Sequence, residues 1–268
     1  MIINRRLLLA GLGALAAVAA PRVARTQETA VQGGVKPGVF IAAEASLQSF
    51  QGDMDPWRLG TVAFWRRSRA GTFIAKVNYA NRYATDGVQA EVEAYPRVSD
   101  KLYLYLDAGY SSASVFPAWR SGAELFSSLP DAWEASIGYR QLRFNGIPVT
   151  MFTGALGKYV GNYWLSLRPY IRSRDGTTSA TTSLMARRYF ADGDHWVGGT
   201  ATYGNSPTER VTPDAVALNK TFSVAITGST GLTSNLLATW LVGHDAEQLG
   251  PGNTRRSVTV TAGLRRKF

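Results

Sequence analysis

The sequence predicts an all-β protein, an antiparallel transmembrane β-barrel of about fourteen strands. Three observations support this fold class. Apolar and polar residues alternate over runs of about ten to fourteen residues that end at turn signals. No stretch of the chain shows a convincing helical period. A segment with the features of a secretory signal peptide precedes the first of these runs.

The chain opens with this leader. Two arginines precede an unbroken apolar run from Leu7 to Ala20, and small and then polar residues follow it. The run is shorter than the roughly 20 residues that a membrane-spanning helix needs. We therefore expect a signal peptide over residues 1–26, with its cleavage site open. A short periplasmic lead-in over residues 27–36 and a barrel over residues 37–268 should follow.

The strands are predicted from alternation and turn chemistry. In GTFIAKVNYANRY, Phe73 and Val77 share one face of a strand, whereas Lys76 lies on the other. A turn is expected at residues 85–87, where Asp and Gly occur together. Twelve strands are possible if two short ones merge or are lost. The fourteen predicted strands are 37–50, 56–68, 71–84, 86–97, 100–112, 118–129, 131–144, 147–157, 160–173, 177–190, 194–204, 216–228, 231–243 and 255–268.

Strand length and face chemistry favour a membrane barrel over a soluble one. Strands of soluble proteins most often have about five or six residues, whereas a tilted membrane strand needs about ten. Most of the predicted strands reach that length. Aromatic residues also recur near strand ends, as in the interfacial girdles of membrane barrels. They are Trp57, Trp65, Tyr79, Tyr110, Trp119, Trp133, Tyr163, Trp196 and Trp240. The apolar faces are therefore expected to meet outer-membrane lipid.

Composition narrows the classes of function. The formal net charge is +10, but the arginines are scattered rather than clustered, so we expect no nucleic-acid partner. The chain has no cysteine, which excludes a disulfide framework, thiol catalysis and thiolate metal sites. No motif for a cofactor is present, and none is expected.

The last predicted strand, SVTVTAGLRRKF, alternates up to an aromatic residue. This pattern resembles the terminal strand of bacterial outer-membrane barrels, which their assembly machinery recognises. The resemblance implies that Phe268 is an assembly signal. Arg266 departs from the pattern, at a position from which an arginine can snorkel to head groups. Pairing of this strand with the first, near residues 39–47, would close the barrel and remove both edges. Its apolar face comprises Val258, Val260, Ala262, Leu264 and Phe268.

Longer segments resemble the YaiO family of outer-membrane β-barrel proteins. They are VNYANRYATDGVQAEVEAYP (77–96), the block at 103–140, FTGALGKYVGNYWLSLRPY (152–170), MARRYF (185–190) and YGNSP (203–207). The resemblance implies a barrel in the outer membrane of a Gram-negative bacterium, reached through the signal peptide. It implies no particular biochemical activity, because the family has no settled one.

Charged residues on the polar faces are the main candidate site. They are Lys76, Glu91, Glu93, Asp107, Glu134, Arg140, Arg168, Arg172 and Arg187. Either they line a pore and select solutes, or they form a self-neutralising network that fills a narrow barrel. Tyr103, Tyr105, Trp164 and Tyr170 share these faces and suit either stacking on sugar rings or simple filling. The segment at 117–133 is less regular, and a loop there is expected to lie near one mouth.

The two histidines are candidates for catalytic residues. His195 lies beside Asp192 and Asp194 in a predicted turn, with Ser206 as a candidate nucleophile. His244 and Asp245 lie near the predicted end of a strand. No G-x-S-x-G motif accompanies them, and turns ordinarily contain Asp and His. The sequence therefore predicts no catalytic residue and no metal site.

The function expected from the sequence is a non-enzymatic outer-membrane protein. A narrow channel, or a component of envelope or saccharide export, fits the predicted lumen best. Two alternatives stay open. One is a barrel enzyme that acts on lipid or lipopolysaccharide, and the other is a closed structural or interaction barrel.

Overall fold

The computed structural model of the protein describes residues 37–174, 177–190, 193–205 and 219–268. They form a closed barrel of fourteen strands, in which each strand pairs antiparallel with its neighbours in sequence and the first pairs with the last. The predicted fold class is confirmed, with fourteen strands rather than twelve. The predicted signal peptide and lead-in, residues 1–36, lie outside the described residues.

The strands are numbered in chain order. Strands β1 to β7 are Gly38–Phe50, Trp57–Ser68, Gly71–Arg82, Thr85–Pro96, Leu102–Tyr110, Trp119–Leu129 and Trp133–Phe144. Strands β8 to β14 are Ile147–Val160, Tyr163–Arg174, Thr177–Tyr189, Trp196–Gly204, Lys220–Gly231, Leu236–Gly250 and Asn253–Lys267. Most bounds agree with the predicted ones to within a few residues.

The turn between β3 and β4 begins two residues earlier in the chain than predicted. It consists of Tyr83 and Ala84, with φ of 54° and 56°, and β4 already begins at Thr85. Such angles are uncommon for residues with a Cβ atom, so local propensity did not point to them. Cross-strand contacts explain the register, because Asp86 accepts hydrogen bonds from the Tyr79 hydroxyl at 2.5 Å and the Asn81 amide at 2.8 Å.

The turn between β12 and β13, in contrast, lies later in the chain than predicted. Gly231 ends β12 instead of starting β13, and the Leu232 N–H donates to the Leu236 carbonyl at 2.8 Å. The Thr233 hydroxyl donates to the Asn235 side chain at 2.9 Å and closes this turn. Short polar residues that bond locally therefore fix the turn, although the apolar pattern runs on through it.

The barrel closes between β1 and β14. Their register runs from Phe40 opposite Lys267 to Phe50 opposite Ser257, which confirms the predicted pairing of the first and last strands. Side chains on the inner face reinforce this ladder. The Thr261 hydroxyl donates to the Ser46 hydroxyl at 2.9 Å, and the Gln48 amide donates to the Ser257 hydroxyl at 2.8 Å. No strand edge is left unpaired in the described barrel.

The two faces of the sheet have opposite chemistry. The outer face exposes large apolar side chains along every part of the wall, among them Val62, Val77, Ile137, Leu184 and Leu264. The inner face carries charged, hydroxyl and aromatic side chains that are mostly buried. This inverted arrangement is that of a transmembrane barrel, with apolar residues toward lipid. The described residues contain no helix that is long and apolar enough to cross a membrane.

Three of the predicted girdle aromatics face inward, so that part of the prediction was wrong. Trp57, Trp65 and Trp196 are buried inside the barrel, whereas Trp119 and Tyr163 are exposed on its outer face. The inward rings pack beneath arginine side chains of the lumen, an arrangement that cation–π attraction favours. Position near a strand end therefore did not distinguish an interfacial ring from a lumenal one.

The barrel has two ends. The terminal end carries Gly38 and Lys267, and the opposite end carries the turn at 83–84. The connection 111–118 folds into the opposite end, where Val115 and Phe116 are buried against Ala80. This connection precedes β6 and covers part of that mouth, on the side of β2 to β4.

Candidate functional site

A first charge cluster lies on the inner faces of β3 to β6. The Lys76 ammonium donates to Glu91 at 2.9 Å and also contacts Glu93. The Arg120 guanidinium donates to Asp107 at 3.0 Å and to Glu91 at 3.4 Å. All five side chains are buried. The pairing of each charge offsets much of its desolvation cost.

A second charge cluster lies on β6, β7 and β9. Glu124 accepts from the Arg140 guanidinium at 2.6 Å and from the Arg168 guanidinium at 2.8 and 2.9 Å. The Ser136 hydroxyl donates to the same carboxylate at 2.5 Å. Glu134 lies nearby and accepts from the Tyr103 hydroxyl at 3.2 Å. One carboxylate therefore holds two arginines across three strands.

Glycines on the inner face make room for these clusters. A Cβ atom at Gly138 would lie 2.6 Å from the Cβ atom of Glu124, and one at Gly122 would lie 2.6 Å from Cδ of Arg140. Larger residues at either position would displace the charged side chains. Gly122 also lies against Asp107, so it connects the two clusters. The ion pairs of the two clusters join four cations to four carboxylates, whose formal charges balance. Glu134, beside the second cluster, is not among these four carboxylates.

All nine predicted lumenal charges lie on the inner face and are buried. Arg172 lies on β9 and Arg187 on β10. The Arg187 guanidinium lies 3.8 Å from the centre of the Trp196 ring and 5.7 Å from that of Trp164. The four aromatic residues proposed for stacking or filling are also buried. Tyr105, for example, lies under the Arg140 guanidinium at 4.4 Å.

Sequence reasoning missed Arg120 of the first cluster and Glu124 of the second. Both lie in β6, within the segment that was judged irregular. The signal was nevertheless present, because Arg120, Gly122, Glu124 and Phe126 share one parity and all face inward. Inward and outward residues that alternate with a period of two still indicate a strand when a small residue occupies one of the inward positions. The arginines at the terminal end, Arg67 and Arg265, were missed because they adjoin other basic residues.

The inner face is not equally buried around the barrel. Polar side chains on β3 to β6 and β9 to β13 are mostly buried, whereas those in the middle of β1 and β14 are half-buried. We call this half-buried strip the seam. Its residues are Glu44, Ser46, Gln48, Thr259, Thr261 and Gly263. The seam therefore faces the part of the lumen that the large side chains leave least filled.

A cavity adjoins the seam on the side of the terminal end. Its lining combines small apolar residues with the buried Lys76–Glu93 pair and with Trp65. The lining residues are Ala42, Glu44, Thr61, Ala63, Trp65, Ile74, Lys76 and Glu93. The indole N–H of Trp65 has no hydrogen-bond partner among the described residues. Space in the lumen thus extends from the terminal half of β2 toward the middle of β1.

The histidines do not assemble a hydrolytic site in the described part of the chain. His244 lies within β13, not at its end as predicted, and it projects outward while Asp245 projects inward. Asp245 accepts from the Ser223 hydroxyl at 2.6 Å. His195 lies in the turn before β11, against Gly231. Asp192 and Ser206 lie outside the described residues, which contain no group of acidic and histidine side chains suited to a metal ion.

Comparison with known proteins is informative at the level of family and fold. The sequence model of the YaiO membrane beta barrel domain matches residues 40–209. Among curated proteins, no sequence matches the chain. Similar solved structures are bacterial outer-membrane barrels of low sequence identity, and they show the fold alone.

Three of these structures span nearly the whole chain. The CymD monoaromatic hydrocarbon channel is 8% identical with a TM-score of 0.58, covering 87% of this chain and 89% of its own. The toluene transporter TodX of Pseudomonas putida is 8% identical with a TM-score of 0.56, covering 95% of each chain. A bacterial polysaccharide outer membrane secretin is 11% identical with a TM-score of 0.52, covering 86% of this chain and 98% of its own.

Proposed function

The chain belongs to the family of YaiO membrane β-barrel domains, and we propose that it is a non-enzymatic outer-membrane channel. Its path runs along the seam between β1 and β14. The uneven burial of the inner face carries this proposal. Inner-face charges of β3 to β9 are buried and compensated, whereas the polar residues of the seam are half-buried.

A barrel of fourteen strands can be both narrow and open. Eight-stranded barrels are filled by side chains or hold one small ligand, and porins of about sixteen to eighteen strands leave an aqueous channel. Here the two charge clusters occupy one side of the lumen and neutralise themselves. They therefore narrow the lumen without imposing a strong charge on a passing solute. One side of the lumen then holds the predicted charge network, and the other side holds the predicted pore.

The chemistry of the seam suits small hydroxylated solutes, such as saccharides. Ser46, Thr259 and Thr261 offer hydroxyl groups, and Gln48 offers an amide. These groups exchange hydrogen bonds with a neutral polyol without the desolvation cost of an ion. Glu44 is the acidic residue of the seam, and it accepts from the Thr239 hydroxyl at 3.1 Å.

The proposal includes an orientation in the outer membrane. At the opposite end, residues 111–118 connect β5 to β6, and β11 ends at Gly204 while β12 begins only at Lys220. These are the two largest separations in sequence between consecutive strands. Membrane barrels carry their longer loops on the extracellular side. The terminal end then faces the periplasm, the apolar outer wall meets lipid, and Phe268 serves the assembly machinery as its recognition signal.

Conductance of single molecules in planar lipid bilayers tests the channel. The wild-type protein is expected to give small, stepwise conductance. Ser46→Trp should lose most of it, because an indole on the inner face of β1 obstructs the seam. Ala45→Trp is the matched control, since the adjacent position faces outward and its indole meets lipid. The absence of steps in the wild type, or equal conductance of both variants, would contradict the proposal.

A further inference from the structure

Three cations converge on one aromatic ring at the terminal end of the lumen. Measured to the centre of the Phe40 ring, the Arg67 guanidinium lies at 4.7 Å, that of Arg265 at 5.7 Å and the Lys267 ammonium at 6.0 Å. Arg265 also lies 5.1 Å from the ring of Trp65. Aromatic faces attract cations, but they only partly offset the repulsion between three like charges. This group, called the cationic mouth below, requires negative charge nearby.

In the cationic mouth, Arg67 is the buried cation for which the described residues supply no carboxylate at hydrogen-bond distance. Arg67 is only 5% exposed. Its buried Nε–H has no hydrogen-bond partner among the described residues, and its Nη2 atom lies 3.8 Å from Oδ1 of Asp194. A buried guanidinium carries five N–H donors in a planar fork that matches a carboxylate or a phosphate. Burial of such a group without hydrogen-bond partners is costly. The geometry therefore calls for an acceptor that the barrel wall does not supply.

An internal carboxylate already approaches this position. Asp194, in the turn before β11, accepts from the Arg265 guanidinium at 2.9 Å and lies 3.8 Å from Nη2 of Arg67. Its side chain is 32% exposed. The distance to Arg67 is too long for a hydrogen bond. Asp194 thus shows that a carboxylate is attracted to the cationic mouth, while Arg67 keeps its donors for a second oxygen.

We propose that the cationic mouth binds a soluble anion through a carboxylate or phosphate group held between Arg67 and Arg265. Both residues belong to the inner face of the barrel, so the ligand enters from the water-filled mouth and not from the lipid surface. Asp194 competes for the same guanidinium groups. Anion binding is a function separate from the proposed channel, because binding here does not depend on whether a solute crosses the barrel.

Nearby carboxylates do not take this role. Glu93 lines the adjoining cavity, but it contacts Lys76 and accepts from the Tyr95 hydroxyl at 3.2 Å. Glu44 accepts from the Thr239 hydroxyl. Among the contacts described for Arg67, the only carboxylate is that of Asp194. An external anion is therefore the acceptor that completes the site.

Calorimetric titration of the full-length protein, refolded in micelles at low salt, tests the site. Succinate and inorganic phosphate are the probes, and succinamide is the uncharged analogue of succinate. We expect one anion to bind per chain and succinamide not to bind. Arg67→Gln should weaken binding by about tenfold or more, the scale of a charge-assisted hydrogen bond. Asp194→Asn should strengthen it, because the internal competitor loses its charge.

Arg255→Gln is the matched control. Arg255 also lies over aromatic rings, those of Phe50 and Trp57, but at the opposite end and with Glu247 as its partner at 2.5 Å. Its replacement should leave anion binding unchanged. Asp194→Asn alters only a half-exposed turn residue. Its anion binding can therefore be measured even if Arg67→Gln does not fold. The proposal fails if neither the wild type nor Asp194→Asn binds an anion, or if Arg67→Gln binds as the wild type does.

This test is independent of the conductance test. Anion binding without conductance contradicts the channel and supports the site. Conductance without anion binding supports the channel and overturns the site.

Discussion

Replacement of Glu124 by glutamine is expected to lower the free energy of unfolding by about 3–5 kcal/mol, the cost of removing one partner from a buried ion pair. Glu124 is 1% exposed and holds both Arg140 and Arg168. Glutamine keeps the volume of the side chain but removes the negative charge to which two buried guanidinium groups donate. Urea titration in lipid micelles, followed by tryptophan fluorescence, measures the change.

Two further variants show whether the charge is responsible. Glu44→Gln removes a carboxylate from the half-buried seam and should cost about 1 kcal/mol, the scale of a single hydrogen bond. The double variant Glu124→Gln with Arg168→Met should recover part of the lost stability, because it removes one of the two cations that Glu124 compensates. Equal losses for Glu124→Gln and Glu44→Gln would contradict the assignment of the second charge cluster as a structural centre.

An arginine in place of Val62 is expected to cost about 2–4 kcal/mol, the penalty for arginine on the lipid face near the middle of a bilayer. Val62 lies in the middle of β2, faces outward and is 58% exposed. In water, an arginine at so exposed a position would change stability by only about 0.5 kcal/mol. Unfolding in lipid vesicles therefore shows directly whether this face meets lipid.

Val98 provides the control for Val62. It is the same residue with the same exposure, 58%, but it lies in the connection between β4 and β5. Val98→Arg should be nearly neutral, because a turn residue at the end of the barrel reaches water. A Val62→Arg variant as stable in vesicles as Val98→Arg would contradict a transmembrane wall at β2.

The fold could be predicted from the sequence because lipid imposes a simple rule on every strand. Val258, Val260 and Leu264 share one parity in β14, and all three are exposed on the outer face. Alternation over about ten residues, repeated along the chain, therefore predicted both the strands and their faces. The exceptions are turns such as Tyr83–Ala84, where cross-strand contacts fix the register and local propensity does not.

The lumen was only partly predictable, because its chemistry depends on contacts between distant strands. Parity identified Lys76 and Arg140 as inward-facing, but it carries no information about which carboxylate each one meets. Glu124, for example, pairs with Arg168, which lies 44 residues further along the chain. Trp65 was assigned to the interface because its position near a strand end does not reveal the arginine stacked on it. These pairings follow from barrel closure, which no local pattern specifies.

Cysteine accessibility in lipid vesicles tests the central claim most directly, because the chain has no native cysteine. Ser46→Cys lies on the seam, Ser183→Cys lies buried on the inner face of β10, and Ala45→Cys faces lipid. A charged, water-soluble thiosulfonate reagent should modify Ser46→Cys rapidly and the other two far more slowly. Equal rates at Ser46→Cys and Ser183→Cys, or no reaction at Ser46→Cys, would contradict a narrow water-filled path along β1 and β14.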